Sequence, residues 1–204
     1  MSRPPHENPF RVDRVTTLPY VGHDPIKLIA RFERMGYRGA ILGPEGAGKS
    51  TLLRLIAERL SDAGVQVAIL RLPGSATGSQ RKEAVSTCRT IPPATVLLFD
   101  GFEQLGFWQR RTVGRRLRLL VTIHRRCGIP PLSRCRPKEK TIRRLLPILL
   151  DEVSAETESA ALRAFRIRRG DVRATFFDLY DAWADGRIDG RQREWPVQPG
   201  PPLL

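Results

Sequence analysis

Residues 43–51 read Gly-Pro-Glu-Gly-Ala-Gly-Lys-Ser-Thr, and no other stretch constrains the fold of this chain as much. Three glycines in six residues permit a backbone that a Cβ would block, so successive N–H groups can curl around an anion. Before the loop stands a short apolar run, Arg38-Gly-Ala-Ile-Leu42. After it, from Lys49 to about Ala63, Leu52, Leu53, Leu55, Ile56 and Leu60 fall on one helical face. Strand, glycine loop and helix in this order match the G-x-x-x-x-G-K-[ST] pattern in full. The pattern predicts that Gly43, Pro44, Glu45, Gly46, Ala47, Gly48, Lys49, Ser50 and Thr51 wrap a phosphate chain. The helix N-terminus adds partial positive charge there. Lys49 is expected to reach the β- and γ-phosphates, and Ser50 Oγ to ligate Mg²⁺. The implied ligand is a nucleoside triphosphate, ATP with Mg²⁺.

A second apolar run, Val96-Leu-Leu-Phe-Asp100, ends in an acid fifty residues after Ser50. A carboxylate at the C-terminal end of a buried parallel strand lies where open α/β sheets bind ligands. Asp100 is therefore expected in the Mg²⁺ shell. Glu103 follows in Asp100-Gly-Phe-Glu-Gln-Leu105. It is a candidate to orient the water that attacks the γ-phosphate, and equally a first-turn acid that favours a helix dipole. A third run, Leu119-Leu-Val-Thr-Ile-His124, puts Thr122 and His124 on one side of a strand by the period of two. His124, with Arg125 and Arg126 behind it, is a candidate to sense the γ-phosphate, and equally a surface histidine on a basic turn. Val65 to Leu72 reads as a further strand, with a helix near Gln80 to Cys88 and another from Phe102 to about Arg118. Strands alternating with helices imply an α/β fold with a parallel sheet.

These three elements together resemble the P-loop NTPases, most closely the ATP-hydrolysing division that includes the ABC, RecA-like and AAA+ families. The resemblance covers roughly residues 38–124. It implies that the strand carrying Thr122 lies between the loop strand and the Asp100 strand. GPEGAGKSTLLRLIAERL is similar to the Walker A segment of ABC ATPases, and VTIHR to their switch-histidine strand. No LSGGQ-like signature precedes Asp100, and Gly101 stands where those proteins carry a catalytic Glu. DGFEQL resembles the D-x-x-E-x-L pattern of NACHT/STAND-type ATPases, which implies a catalytic role for Glu103. Asp100-Gly-Phe also resembles the DGFPR segment of adenylate kinases, with Arg125 to Lys140 in the place of their lid, although Glu103-Gln104 replace the Pro-Arg.

Charge is unevenly placed. Of a net +14, residues 110–144 hold thirteen Lys and Arg against one acid, Glu139. Two readings of that segment stay open: a footprint for nucleic acid or another polyanion, or a solvated arginine face lining the nucleotide pocket. Few aromatics interleave with the arginines, only Phe107 and Trp108 at the edge, so the sequence gives little support to stacking on single strands. Three cysteines, Cys88, Cys127 and Cys135, are too few for a disulfide framework and suit a reducing compartment, the cytoplasm. His124, Cys127 and Cys135 lack a fourth nearby zinc ligand. No apolar run approaches the roughly 20 residues of a bilayer span, and MSRPPHENPF is no signal peptide.

The expected organisation is an extended arm at 1–23, a P-loop core at 24–136, a C-terminal helical extension at 137–185 and a flexible tail at 186–204. Asp24-Pro25 reads as a helix start, and Gly128 to Pro137 as a loop. Pro147 reads as a break within the extension. Asp171 is the expected cap of a last helix whose Val172, Phe176, Leu179, Tyr180 and Trp183 share one face. The expected function is a Mg²⁺-dependent ATPase that couples hydrolysis to a partner, with nucleic acid as one candidate. Alternatives are a small nucleotide or metabolite kinase, and a nucleotide-gated binding module that does not turn over.

Overall fold

The computed structural model describes residues 4–192. Within them lie two compact units. One comprises residues 23–43 and 49–135; the other comprises the described residues of 1–22, 44–48 and 136–200. The strands are β1 (Arg38–Leu42), β2 (Val67–Arg71), β3 (Val96–Asp100), β4 (Leu119–Ile123) and β5 (Pro131–Arg134). The helices are α1 (Val12–Thr17), α2 (Pro25–Arg34), α3 (Lys49–Asp62), α4 (Gly78–Thr90), α5 (Phe107–Val113), α6 (Glu139–Leu149), α7 (Ala155–Ile167) and α8 (Val172–Ala184).

The first unit is a parallel sheet in the order β2-β3-β4-β1-β5 with helices α2 to α5. As the resemblance implies, β4 lies between β1 and β3. Ala40–Leu42, Val96–Phe99 and Leu119–Ile123 are all buried, which explains their unbroken apolar reading. The period of two sorts them. Leu97, Phe99, Leu119, Val121 and Ile123 share a cluster with Leu72, Cys88, Phe102, Leu105 and Val113. Helix α3 packs against β1, β3 and β4 and buries Leu52, Leu53, Ile56 and Leu60.

Two elements of this unit differ from expectation. The loop foreseen at 128–137 contains β5, which pairs in parallel with β1 at the sheet edge. Its opening Pro131 is compatible with an edge strand, and Leu132 is fully buried. The helix foreseen from Phe102 to Arg118 is two short pieces. A 3-10 turn covers Phe102–Gln104, and α5 begins after Gly106 and ends at Val113. Beyond it, Arg116 is no solvated surface residue. Its guanidinium donates from Nη1 to the carbonyls of Cys88 and Ile91 (2.9 Å each) and from Nη2 to that of Pro92 (2.8 Å). It thus satisfies carbonyls at and beyond the C-terminal end of α4 that the helix leaves unpaired. Arg118 donates to Ala94 O at 3.0 Å and lies 5.0 Å from the Tyr37 ring centroid.

The second unit packs α6, α7 and α8 around Leu145, Leu146, Leu149, Phe165, Phe176, Leu179 and Trp183. Asp171 caps α8 by accepting from Ala174 N at 2.8 Å. Pro147 sits in the last turn of α6, two residues before the helix ends, rather than at a mid-helix break. The described part of 1–23 is not an extended arm. It forms a 3-10 turn (Pro5–Glu7) and α1, and Phe10 is fully buried with its ring stacked 6.1 Å from that of Phe176. Buried Asn8 donates to Tyr180 O and accepts from Phe10 N, both at 3.0 Å. Nor is 186–192 a loose tail. Ile188 is buried, Thr157 donates to Asp189 O at 2.8 Å, and Trp183 Nε1 donates to Gly190 O at 3.1 Å. Residues 193–204 of the foreseen tail lie outside the described residues.

Arg116 provides a stability test. Arg116→Ala should lower unfolding free energy by about 1.5–3 kcal/mol, the range for hydrogen bonds to a charged group. Arg115→Ala, at an exposed side chain, should stay within about 0.5 kcal/mol. Urea unfolding of both variants checks this; equal midpoints would remove the capping role from Arg116.

Candidate functional site

The loop leaves β1 at Leu42, and Gly43 N–H donates to Ile123 O of β4 at 3.2 Å. Gly46 and Gly48 have φ of 63° and 82°, conformations that suit glycine. Within the second unit, a Cβ on Gly46 would overlap the carboxylate of Asp171, and the Tyr20 ring lies 3.7 Å from the Cβ position of Gly48. Neither neighbour carries a local signal in the sequence. Pro44 and Glu45 are exposed, Ala47 is buried and Thr51 is half-buried. Lys49 opens α3 with its side chain buried.

Ser50, on the next position of α3, donates from Oγ to Asp100 Oδ1 at 3.0 Å. Thr122 Oγ1 donates to the same oxygen at 2.6 Å and accepts from Gly101 N–H at 2.9 Å. The single hydroxyl proton of Thr122 and one lone pair are thereby both used. The structure thus gives Thr122, expected only as a sensor-like neighbour of His124, the work of holding Asp100. Arg71 Nε lies 3.8 Å from Asp100 Oδ2. It ends β2 directly opposite Asp100 in the parallel register, a pairing not visible before the strands are aligned.

Gly101 turns the chain out of β3 with φ 83°, and a Cβ there would collide with the carbonyl of Leu72. Only glycine fits this turn, which explains why a carboxylate cannot directly follow Asp100. The 3-10 turn then presents Glu103, whose Oε1 lies 3.6 Å from His124 Nε2. Glu103 Oε2 is buried without a hydrogen-bond partner. The structure therefore brings Lys49, Ser50, Asp100, Thr122, Glu103 and His124 to adjacent ends of α3, β3 and β4.

Among the described residues, no group of three or more His, Cys, Asp or Glu is arranged to hold a metal ion. The hard oxygens of Ser50 and Asp100 suit Mg²⁺, which keeps water and phosphate oxygens as its remaining ligands. Cys88 and Cys135 are buried, Cys127 is partly buried, and none of the three forms a disulfide among the described residues. Burial pushes the Cys88 thiol up to about 11, as fits packing rather than reactivity. Arg125 to Lys140, the stretch that resembles a kinase lid, contains β5 and so belongs partly to the sheet. No helix among the described residues is long and apolar enough to cross a membrane.

No family model matches the chain. It is 46% identical over 97 residues to the phosphonates import ATP-binding protein PhnC of Anaeromyxobacter dehalogenans (strain 2CP-C). That match takes in 44% of this chain and only 19% of the relative's length. Among solved structures, the S. cerevisiae Hsp104:casein complex in its extended conformation superposes with a TM-score of 0.51 at 12% identity. The overlay covers 89% of this chain and 40% of that one, and likeness at this identity speaks to the fold alone. A parallel sheet in which the Thr122 strand separates the loop strand from the Asp100 strand gives the chain the α/β fold of the P-loop NTPases, and the partial match to an ATP-binding protein accords with it.

Proposed function

We propose that the chain is a Mg²⁺-dependent ATPase, with residues 24–136 as its nucleotide-binding core and 137–185 as a helical extension. The observation that carries this reading is the hydrogen bond from Ser50 Oγ to Asp100 Oδ1, which joins the phosphate loop to the acid-bearing strand. The loop of residues 43–51 wraps the β- and γ-phosphates, with backbone N–H groups from Glu45 onward and the start of α3 as the donors. Lys49 offsets their charge. Ser50 and Asp100 hold Mg²⁺, which when bound neutralises charge on the phosphate oxygens.

Glu103 orients a water and takes its proton as the water oxygen bonds to the γ-phosphorus. The bond to the bridging oxygen breaks, leaving ADP and phosphate. His124 steadies the Glu103 carboxylate from 3.6 Å. Thr122 acts as a positioning residue through Asp100 and Gly101. Three cysteines without a disulfide among the described residues fit a reducing, cytoplasmic setting.

Four measurements test the assignment. Lys49→Ala should weaken Mg-ATP binding at least tenfold, a loss of at least ~1.4 kcal/mol by calorimetric titration. Equal affinities would remove Lys49 from the site. Asp100→Ala should bind ATP as the wild type does in EDTA, yet gain nothing when Mg²⁺ is added. A retained Mg²⁺ effect would take Asp100 out of the metal shell. Glu103→Gln should lower phosphate release by about 100-fold or more while leaving ATP affinity near wild type, the scale of a lost general base. The wild type should yield ADP and free phosphate whether or not AMP is present. A phosphorylated acceptor would favour the kinase reading, and no phosphate release at all the binding module.

A further inference from the structure

Helix α5 leaves two large rings in water. Phe107 and Trp108 are 66% and 73% exposed, and their rings meet edge to face with centroids 5.2 Å apart. The pair is held on a fixed turn. Gln109 Oε1 accepts from Gly106 N–H at 2.9 Å, Thr112 donates to Trp108 O at 3.0 Å, and Val113 anchors the far end of the helix in the core. Two adjacent solvent-facing aromatics on an ordered helix form a binding surface rather than a packing residue.

Charge says what fits it. Phe107 to Arg118 contains five arginines and no acid. Arg116 and Arg118 are occupied by backbone carbonyls. The side chains of Arg110, Arg111 and Arg115 enter no ion pair or side-chain hydrogen bond among the described residues, and Arg111 and Arg115 are exposed. Arg125 and Arg126, just after β4, are also exposed. A protein partner's apolar patch would match the rings but leave these cations unanswered. A membrane surface calls for a longer amphipathic helix than seven residues with two apolar rings. An unpaired base offers a π-face to each ring, and its phosphates answer the guanidinium groups.

We propose that α5 and its arginines form a stacking platform for single-stranded nucleic acid. The same segment connects the Glu103 turn to the strand that carries Thr122 and leads to His124, so the platform is continuous in chain with both sides of the nucleotide site. That coupling rests on the ATPase reading, whereas the surface itself does not.

The test is fluorescence anisotropy of the full chain with labelled oligo-dT and oligo-U of about 20 nucleotides, longer than the roughly 4–16-nucleotide footprint of such platforms. A duplex of equal length and anionic phospholipid vesicles are the comparison arms, over about 50–200 mM salt. Single strands should bind at least about tenfold more tightly than duplex. Phe107→Ala/Trp108→Ala should weaken that binding about tenfold or more, with the salt slope unchanged. Arg110→Gln/Arg111→Gln/Arg115→Gln should flatten the log–log slope by about 2, at roughly 0.7 per phosphate contact on a single strand. In a Trp195→Phe background, oligonucleotide should quench Trp108 emission, a readout that needs no substitution on the platform. Lys49→Ala should bind oligonucleotide as wild type does without ATP, so loss of the ATPase reading and loss of this one are separable. The proposal is overturned by absent single-strand binding at 50 mM salt, by duplex binding as tight, by indifference to loss of both rings, or by ring-dependent binding to vesicles alone.

Discussion

One carboxylate oxygen gathers the nucleotide end of the sheet. Asp100 Oδ1 accepts from Ser50 of α3 and from Thr122 of β4, so helix, acid strand and neighbouring strand are tied at a single atom. Hydrogen bonds to an ionised acceptor are the stronger kind. The arrangement depends on strand order. Only with β4 between β1 and β3 can Thr122 reach Asp100 while Ile123 O receives the first N–H of the loop. Thr122 also fixes Gly101, and Gly101 fixes the turn that presents Glu103. A single hydroxyl therefore bears on two carboxylates.

The arginines divide into two populations that a charge count merges. Arg38, Arg116 and Arg118 spend their donors on backbone carbonyls around the ends of α4 and β4, where unpaired groups are costly to leave. Arg111, Arg115, Arg125 and Arg126 stay exposed. The first population holds the sheet unit together, and the second sets its surface field. The exposed rings of α5 share their short helix with Arg111 of the second population.

The second unit draws on both ends of the chain. Phe10 and Leu18 complete a core whose other buried members lie beyond residue 140, and Asn8 ties the same segment to α8. The closing residues to Gln192 return to α6 through a bridge at Leu150. A segment with one buried ring between prolines has no periodicity to reveal it, so burial there is decided by the pocket it enters.

By itself the sequence determined the features that rest on short-range patterning. The glycine spacing specified the loop, and the apolar runs ending at Leu42, Asp100 and Ile123 specified three buried strands. The helical stripe after Lys49 and the cap at Asp171 were legible for the same reason: each depends on neighbours within one or two turns of chain. What only tertiary structure decided are the pairings across the sheet and between distant segments. Strand β5 was hidden by prolines and arginines because an edge strand needs only one partner. Arg71 opposite Asp100, Tyr20 and Asp171 against the phosphate loop, and Glu103 beside His124 are likewise meetings of residues far apart in the chain. Local propensity cannot encode them, because the register and packing that create them exist only once the chain has folded.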